Sequence, residues 1–229
     1  MQKNILMVVT SHAVLGNTNN ATGLYFDELA TPYFTLIDAN INVTIASPLG
    51  GKTPIVPSSI GTDDQRETNV ARFMKDESAM QKLNNAMKLS NVDAKNYDGI
   101  FLAGGHGTMF DLPNDNNLAL ILGEMFDDDK VIGAVCHGPA GLTTAKRSDG
   151  KSILFGKKVN GFSNSEEDKI GLTNTVPFLL ETKMVELGGL YEKSSDFAEH
   201  AVKDGNLITG QNPASASKVA SLLLQAIST

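Results

Sequence analysis

The amino-acid sequence predicts a doubly wound α/β sandwich on a mostly parallel sheet. Short Val- and Ile-rich runs alternate with longer segments of helical spacing. Those runs are almost continuously apolar, as in strands covered on both faces. No linker, repeat or low-complexity tract divides the 229 residues, a length suited to one domain with a sizeable core. The chain therefore reads as a single domain, 1–229.

The first run, NILMVVT at 4–10, is too short to span a membrane and no clean A-x-A cleavage pattern follows it. It reads as the opening strand of a cytoplasmic protein. A helix is expected over 24–39, then a strand at VTIASP (43–48) and two helices within 63–95. GIFLAGG (99–105) and VIGAVC (131–136) are the next strands, separated by a helix over 116–127. After Cys136, GPAGLTTAK opens a helix with Pro139 in its first turn, where the missing N–H costs nothing. KKVNGF reads as a strand, and TVPFLLETKMVELGG as a helix stopped by glycine. HAVKDGNLITG suggests a hairpin turning on Asp204-Gly205 in a type I′ turn. The final NPASASKVASLLLQAI is an amphipathic helix with Asn212 as its cap.

A net charge of -7 argues against nucleic acid as a main partner, since phosphate binding needs a basic stripe. The single cysteine excludes an internal disulfide and any multi-thiolate metal site. In such folds ligands sit outside the carboxyl ends of the strands, and three features fall there. Cys136 stands at a strand-to-helix turn between Gly133 and Gly138. Small residues permit the bend of a nucleophile elbow, and a following helix N-terminus would favour thiolate. An inert core cysteine is the alternative for a Val-rich run; position at the strand end favours the nucleophile.

The second feature is AGGHGTMFD (103–111), where Gly104, Gly105 and Gly107 allow an anion nest or oxyanion hole. It is not a phosphate loop, lacking both G-K-[ST] and G-x-G-x-x-G. His106 either contacts substrate or hydrogen-bonds within the loop. The third is the first helix, where at most one of Asp27 and Glu28 faces the sheet edge. Spacing alone favours two solvated acids at a helix start. A buried carboxyl there would have its pKa raised and serve as acid or base near neutrality. His137 adjoins Cys136 in sequence, which does not by itself make them a pair. A group orienting it would come from SNSEEDK, where Glu166 and Glu167 stand; a capped helix start after Ser163 or Ser165 is the other reading.

Taken together, these segments resemble the ThiJ/PfpI superfamily, which shares the class I glutamine amidotransferase-like fold. The likeness is to its branch of heat-shock chaperones and glutathione-independent glyoxalases. FLAGGHGTMFDLP (101–113) and GAVCHGPAGL (133–142) carry most of the likeness, with IASPLGG (45–51), VNGFSNSEED (159–168), VPFLLE (176–181) and LITGQNPASA (207–216) beside them. The resemblance implies a flavodoxin-like sandwich with Cys136 as the nucleophile and Glu28 as acid/base. It places His137 beside them, Glu166 or Glu167 as a supporting acid, and the amides of Gly105 and His137 as the oxyanion hole. Gly104 and His106 join the substrate-binding set. Departures are Phe110 where tryptophan is frequent and Val56 where aspartate is common. No counterpart of the zinc site of larger members is present, so no metal or other cofactor is expected.

The implied activity converts methylglyoxal or related 2-oxoaldehydes to 2-hydroxy acids such as lactate, with protein deglycation as a further claim. Unfolded or glycated proteins are implied partners, and a homodimer is implied. No membrane or nucleic-acid partner is expected. A stress-related holdase chaperone or a cysteine redox sensor is the alternative. A cysteine peptidase or amidase ranks lower, because the Gly-x-Cys-x-Gly elbow and a late His-x-Glu pair are missing: Ala201 and Val202 follow His200.

Overall fold

A computed structural model describes residues 2–228. The first run folds as β1 (Asn4–Val8), followed by α1 (Asp27–Ile37) and β2 (Asn42–Ser47). Two helices, α2 (Thr68–Lys75) and α3 (Glu77–Asn84), precede the short β3 (Met87–Lys88). The chain then crosses back to β4 (Gly99–Leu102), α4 (Thr108–Asp111), α5 (Asn116–Asp127) and β5 (Val131–Val135). Beyond β5 come β6 (Lys158–Val159), α6 (Asn164–Lys169), α7 (Leu180–Glu186), β7 (Leu190–Tyr191), β8 (Ala201–Asp204), β9 (Leu207–Gly210) and α8 (Ala216–Ile227).

Seven strands form one sheet in the order β3-β2-β1-β4-β5-β9-β8. Only β8 runs antiparallel, against β9. Every residue of β4 and β5 is buried, so both faces of the sheet are covered. Helix α8 packs against α1 and also covers β5 and β9, while α5 lies on β5. Strand order reverses between β1 and β4, which places a crevice at their carboxyl ends. The expected α/β sandwich is therefore the observed one. No helix among the described residues is long and apolar enough to cross a membrane.

Several local expectations give way to tertiary context. The first helix starts at Asp27 because Leu24 before it bridges to Ile55, donating to the Pro54 carbonyl and accepting from Val56 N–H. The segment after Cys136 forms a 3-10 helix over Gly138–Thr144 rather than an α-helix. KKVNGF contributes only β6, which pairs with β7 in a separate two-stranded sheet. The following helix is shortened to α7, after the bend around Pro177. In the hairpin Asp204 pairs with Leu207, so the loop is Gly205-Asn206. Only Gly205 of the two has positive φ, which fits a type II′ turn instead of I′. Ser215 stands at the N-cap of α8, and Asn212 makes no side-chain cap bond.

Candidate active site

Cys136 leaves β5 in the left-handed region, with φ of 59°. A non-glycine residue held there costs of order 1–3 kcal/mol and persists only where its surroundings fix it. Its N–H donates to the Gly210 carbonyl at 2.9 Å, and its own carbonyl accepts from Phe162 N–H at 2.8 Å. This is the geometry of a nucleophile elbow. The side chain is 3% exposed and lies against a cavity of about 490 Å3.

His137 follows it, almost fully buried, with Nδ1 3.3 Å from the Cys136 Sγ. Its Nε2 lies 2.7 Å from Glu167 Oε2, and His106 Nε2 lies 2.8 Å from Glu167 Oε1. Glu167 reaches them from the first turn of α6. Burial pushes this carboxyl up, but the two imidazoles outweigh it and hold its pKa at about 2. Burial pulls His137 down to about 4, helped by the neighbouring His106 and opposed by Glu167. At neutral pH the carboxylate is therefore charged and His137 neutral. A neutral imidazole donating from Nε2 keeps its lone pair on Nδ1. That lone pair faces the thiol.

Glu28 sits in the first turn of α1, fully buried, whereas Asp27 turns aside to accept from Thr31 Oγ1 at 2.7 Å. Glu28 Oε2 accepts from Gly104 N–H at 2.9 Å. Its Oε1 is buried without a well-formed hydrogen bond, although the Cys136 thiol acts on this carboxyl. Burial raises the Glu28 pKa to about 8; the thiol and the Gly104 N–H only partly oppose the rise. Glu28 is thus a neutral acid at pH 7. Burial, then Glu28, pushes the Cys136 thiol well above its usual range. The expected thiolate at a helix N-terminus does not arise, because a 3-10 turn replaces the helix and desolvation dominates.

Gly104 also departs from the expected substrate-binding set, since its N–H is committed to Glu28. A side chain here is excluded, as a Cβ would lie 2.3 Å from Glu28 Oε2 and 2.9 Å from His137 N. Gly105, at φ 99°, lines the cavity with His106. Of the two acids after Ser163, Glu167 meets the histidines. Glu166 completes a capping box with Ser163 and accepts from Phe197 N–H, Gln211 Nε2 and Asn212 Nδ2. Phe162, which the sequence places only in a strand, joins the site, with its ring 4.4 Å from that of His137. Its only sequence signal is its place at the end of KKVNGF, just before the polar SNSEED stretch. Among the described residues, His106, His137 and Glu167 bring metal-ligand atoms within 4.8 Å of one another. Both Nε2 atoms are engaged with the carboxylate.

The model of the DJ-1/PfpI family matches residues 25–226. The chain is 31% identical to "Glutathione-independent glyoxalase hsp3102" of Schizosaccharomyces pombe over 98% of each chain. Among solved structures, the Rapid Encystment Protein 24 KDa of Francisella tularensis superposes with a TM-score of 0.94 at 42% identity, covering 99% of each chain. Glyoxalase III of Candida albicans gives 0.89 at 28% identity, covering 98% of this chain and 97% of that one.

Between its ordinary value of 4.5 and about 8, Glu28 binds a proton in the folded state that the unfolded chain releases. Stability contributed by the neutral acid is present below 4.5 and is lost as pH rises through about 8. Glu28→Gln removes that slope. Urea unfolding should show the variant gaining roughly 3 kcal/mol on wild type between about pH 5 and about pH 8. Parallel pH dependences would contradict a neutral buried Glu28.

Proposed function

Because the chain belongs to the DJ-1/PfpI family, we propose that it is a glutathione-independent glyoxalase of the glyoxalase III type, with Cys136 supplying the thiol. The observation that carries this reading is the meeting of Cys136, His137 and Glu28 at one sheet edge over a cavity. Relatives named glutathione-independent glyoxalase and glyoxalase III support the reaction. The substrate is a 2-oxoaldehyde such as methylglyoxal and the product the matching 2-hydroxy acid.

In this reading His137 Nδ1 takes the thiol proton as sulfur attacks the aldehyde carbon. The N–H groups of Gly105 and His137 face the developing oxyanion, which takes the Glu28 proton to give a hemithioacetal. Glu28, now a carboxylate, removes the hydrogen from that carbon while the His137 imidazolium protonates the ketone oxygen. The resulting enediol accepts the Glu28 proton at its second carbon and returns its C1 hydroxyl proton to Glu28, leaving a thioester. Water, deprotonated by His137, adds to the thioester. Sulfur departs with that proton and the 2-hydroxy acid is released. Glu167 stays ionised throughout and steadies the imidazolium, as the buried acid does in a catalytic triad. His106 shares that carboxylate and presents its own ring to the cavity. A redox-sensing role fits less well, since such cysteines are exposed and of low pKa, whereas Cys136 is buried with its thiol raised.

Two outcomes are expected. Cys136→Ala should reduce glutathione-free lactate formation from methylglyoxal to the buffer background; normal lactate formation by this variant would sink the proposal. The free enzyme must hold His137 neutral and Glu28 protonated, so kcat/KM should be flat between about 4 and about 8 and fall on either side. A rate that keeps climbing above that upper limb would show thiol ionisation, not Glu28, in control.

A further inference from the structure

Methylglyoxal is a three-carbon molecule, yet the cavity over Cys136 measures about 490 Å3. Cavities of roughly 300–1,000 Å3 enclose much larger ligands. The lining is mainly apolar, including Leu15, Val56, Ile170 and the rings of Tyr25, Phe162 and Phe197. Among the described residues no Lys or Arg lines it. A phosphate or carboxylate on the substrate would enter without a counter-charge and lose its water. The chemistry of these walls suits a neutral, apolar group.

Phe197 is the unusual member. It holds φ at 62° and is 47% exposed, a backbone strain that a bulky residue does not adopt without compensation. Its N–H donates to Glu166 Oε1 at 2.7 Å, and Asn212 Nδ2 joins the same oxygen at 2.8 Å to the neighbouring Ala198 carbonyl at 2.8 Å. Glu166 itself is fully buried, so the loop is anchored into the core on both sides of the strained residue. Its ring stands 6.3 Å from Phe162, whose ring is 4.4 Å from His137. An aromatic array thus runs from beside the reacting sulfur to the mouth of the cavity.

We infer that the site is built for 2-oxoaldehydes carrying a neutral aryl-sized group on the ketone carbon, and that Phe197 determines this specificity by packing against that group. The inference rests on the glyoxalase reading. With the aldehyde carbon at Cys136, the substituent projects towards Phe162 and Phe197, where ring-on-ring contact adds to apolar burial. Glu166 is a positioning residue that fixes the Phe197 backbone.

The test measures kcat/KM without glutathione for methylglyoxal, phenylglyoxal and a para-carboxyphenylglyoxal. Wild type should prefer phenylglyoxal to its carboxylated form by about tenfold or more, the scale of an uncompensated buried charge. The phenylglyoxal-to-methylglyoxal ratio should fall about tenfold in Phe197→Ala, and by less in Phe197→Leu, which keeps apolar bulk. Comparing that ratio between variant and wild type cancels the differing reactivity of the two aldehydes. An unchanged ratio in both variants, or equal use of the carboxylated substrate by wild type, overturns the inference and leaves the glyoxalase reading standing. Failure of wild type to turn over any of the three overturns both. Should the Phe197 variants not fold, the wild-type comparison with the charged aryl substrate decides.

Discussion

Glu167 carries a negative charge in the protein interior, and two imidazole N–H groups hold it there. That charge fixes which nitrogen of His137 faces the sulfur. With Nε2 committed to the carboxylate, His137 has only Nδ1 free to face the Cys136 sulfur. A few residues away in space, Glu28 is buried with a single backbone donor and no cation, and it stays protonated. Two carboxyl groups at one sheet edge are thereby held in opposite protonation states by their surroundings. Such divergence is how one site supplies both acid and base at neutral pH.

The fold delivers these groups from separate parts of the chain. β5 ends at the elbow, the turn just after β4 holds Gly104, and the first turns of α1 and α6 bring in Glu28 and Glu167. Helix α6 divides adjacent acids between two tasks. Glu166 turns inward to its capping box and to the loop bearing Phe197, while Glu167 faces the histidines. The strain at Cys136 and at Phe197 is matched in each case by backbone hydrogen bonds into buried structure.

The sheet was legible because its central strands are short, apolar and bounded by polar turns, so periodicity and length left little choice. The position of Cys136 at the carboxyl end of a strand was legible from the apolar run before it. The acids were harder. Spacing could not tell Glu28 from Asp27, or Glu166 from Glu167, since neighbours on a helical turn differ by rotation alone, and only tertiary packing says which way that turn faces. The resemblance to known sequences singled out Glu28 but left the pair after Ser163 undecided. The protonation of the thiol was not legible for a physical reason: local sequence predicts a helix dipole at the sulfur, whereas burial among residues remote in sequence, then Glu28, raises the thiol pKa. Phe197 left no trace, because its role depends on a left-handed backbone clamped by residues remote in sequence.

The protonation state of Glu28 is the point on which acid/base chemistry, thiol pKa and the tuning of the site converge. Infrared difference spectroscopy of wild type against Glu28→Gln reads it directly. A carboxylic-acid carbonyl band should be present near pH 6 and disappear with a midpoint at about 8. A carboxylate signal already complete near pH 6 would contradict the neutral buried acid and the mechanism built on it.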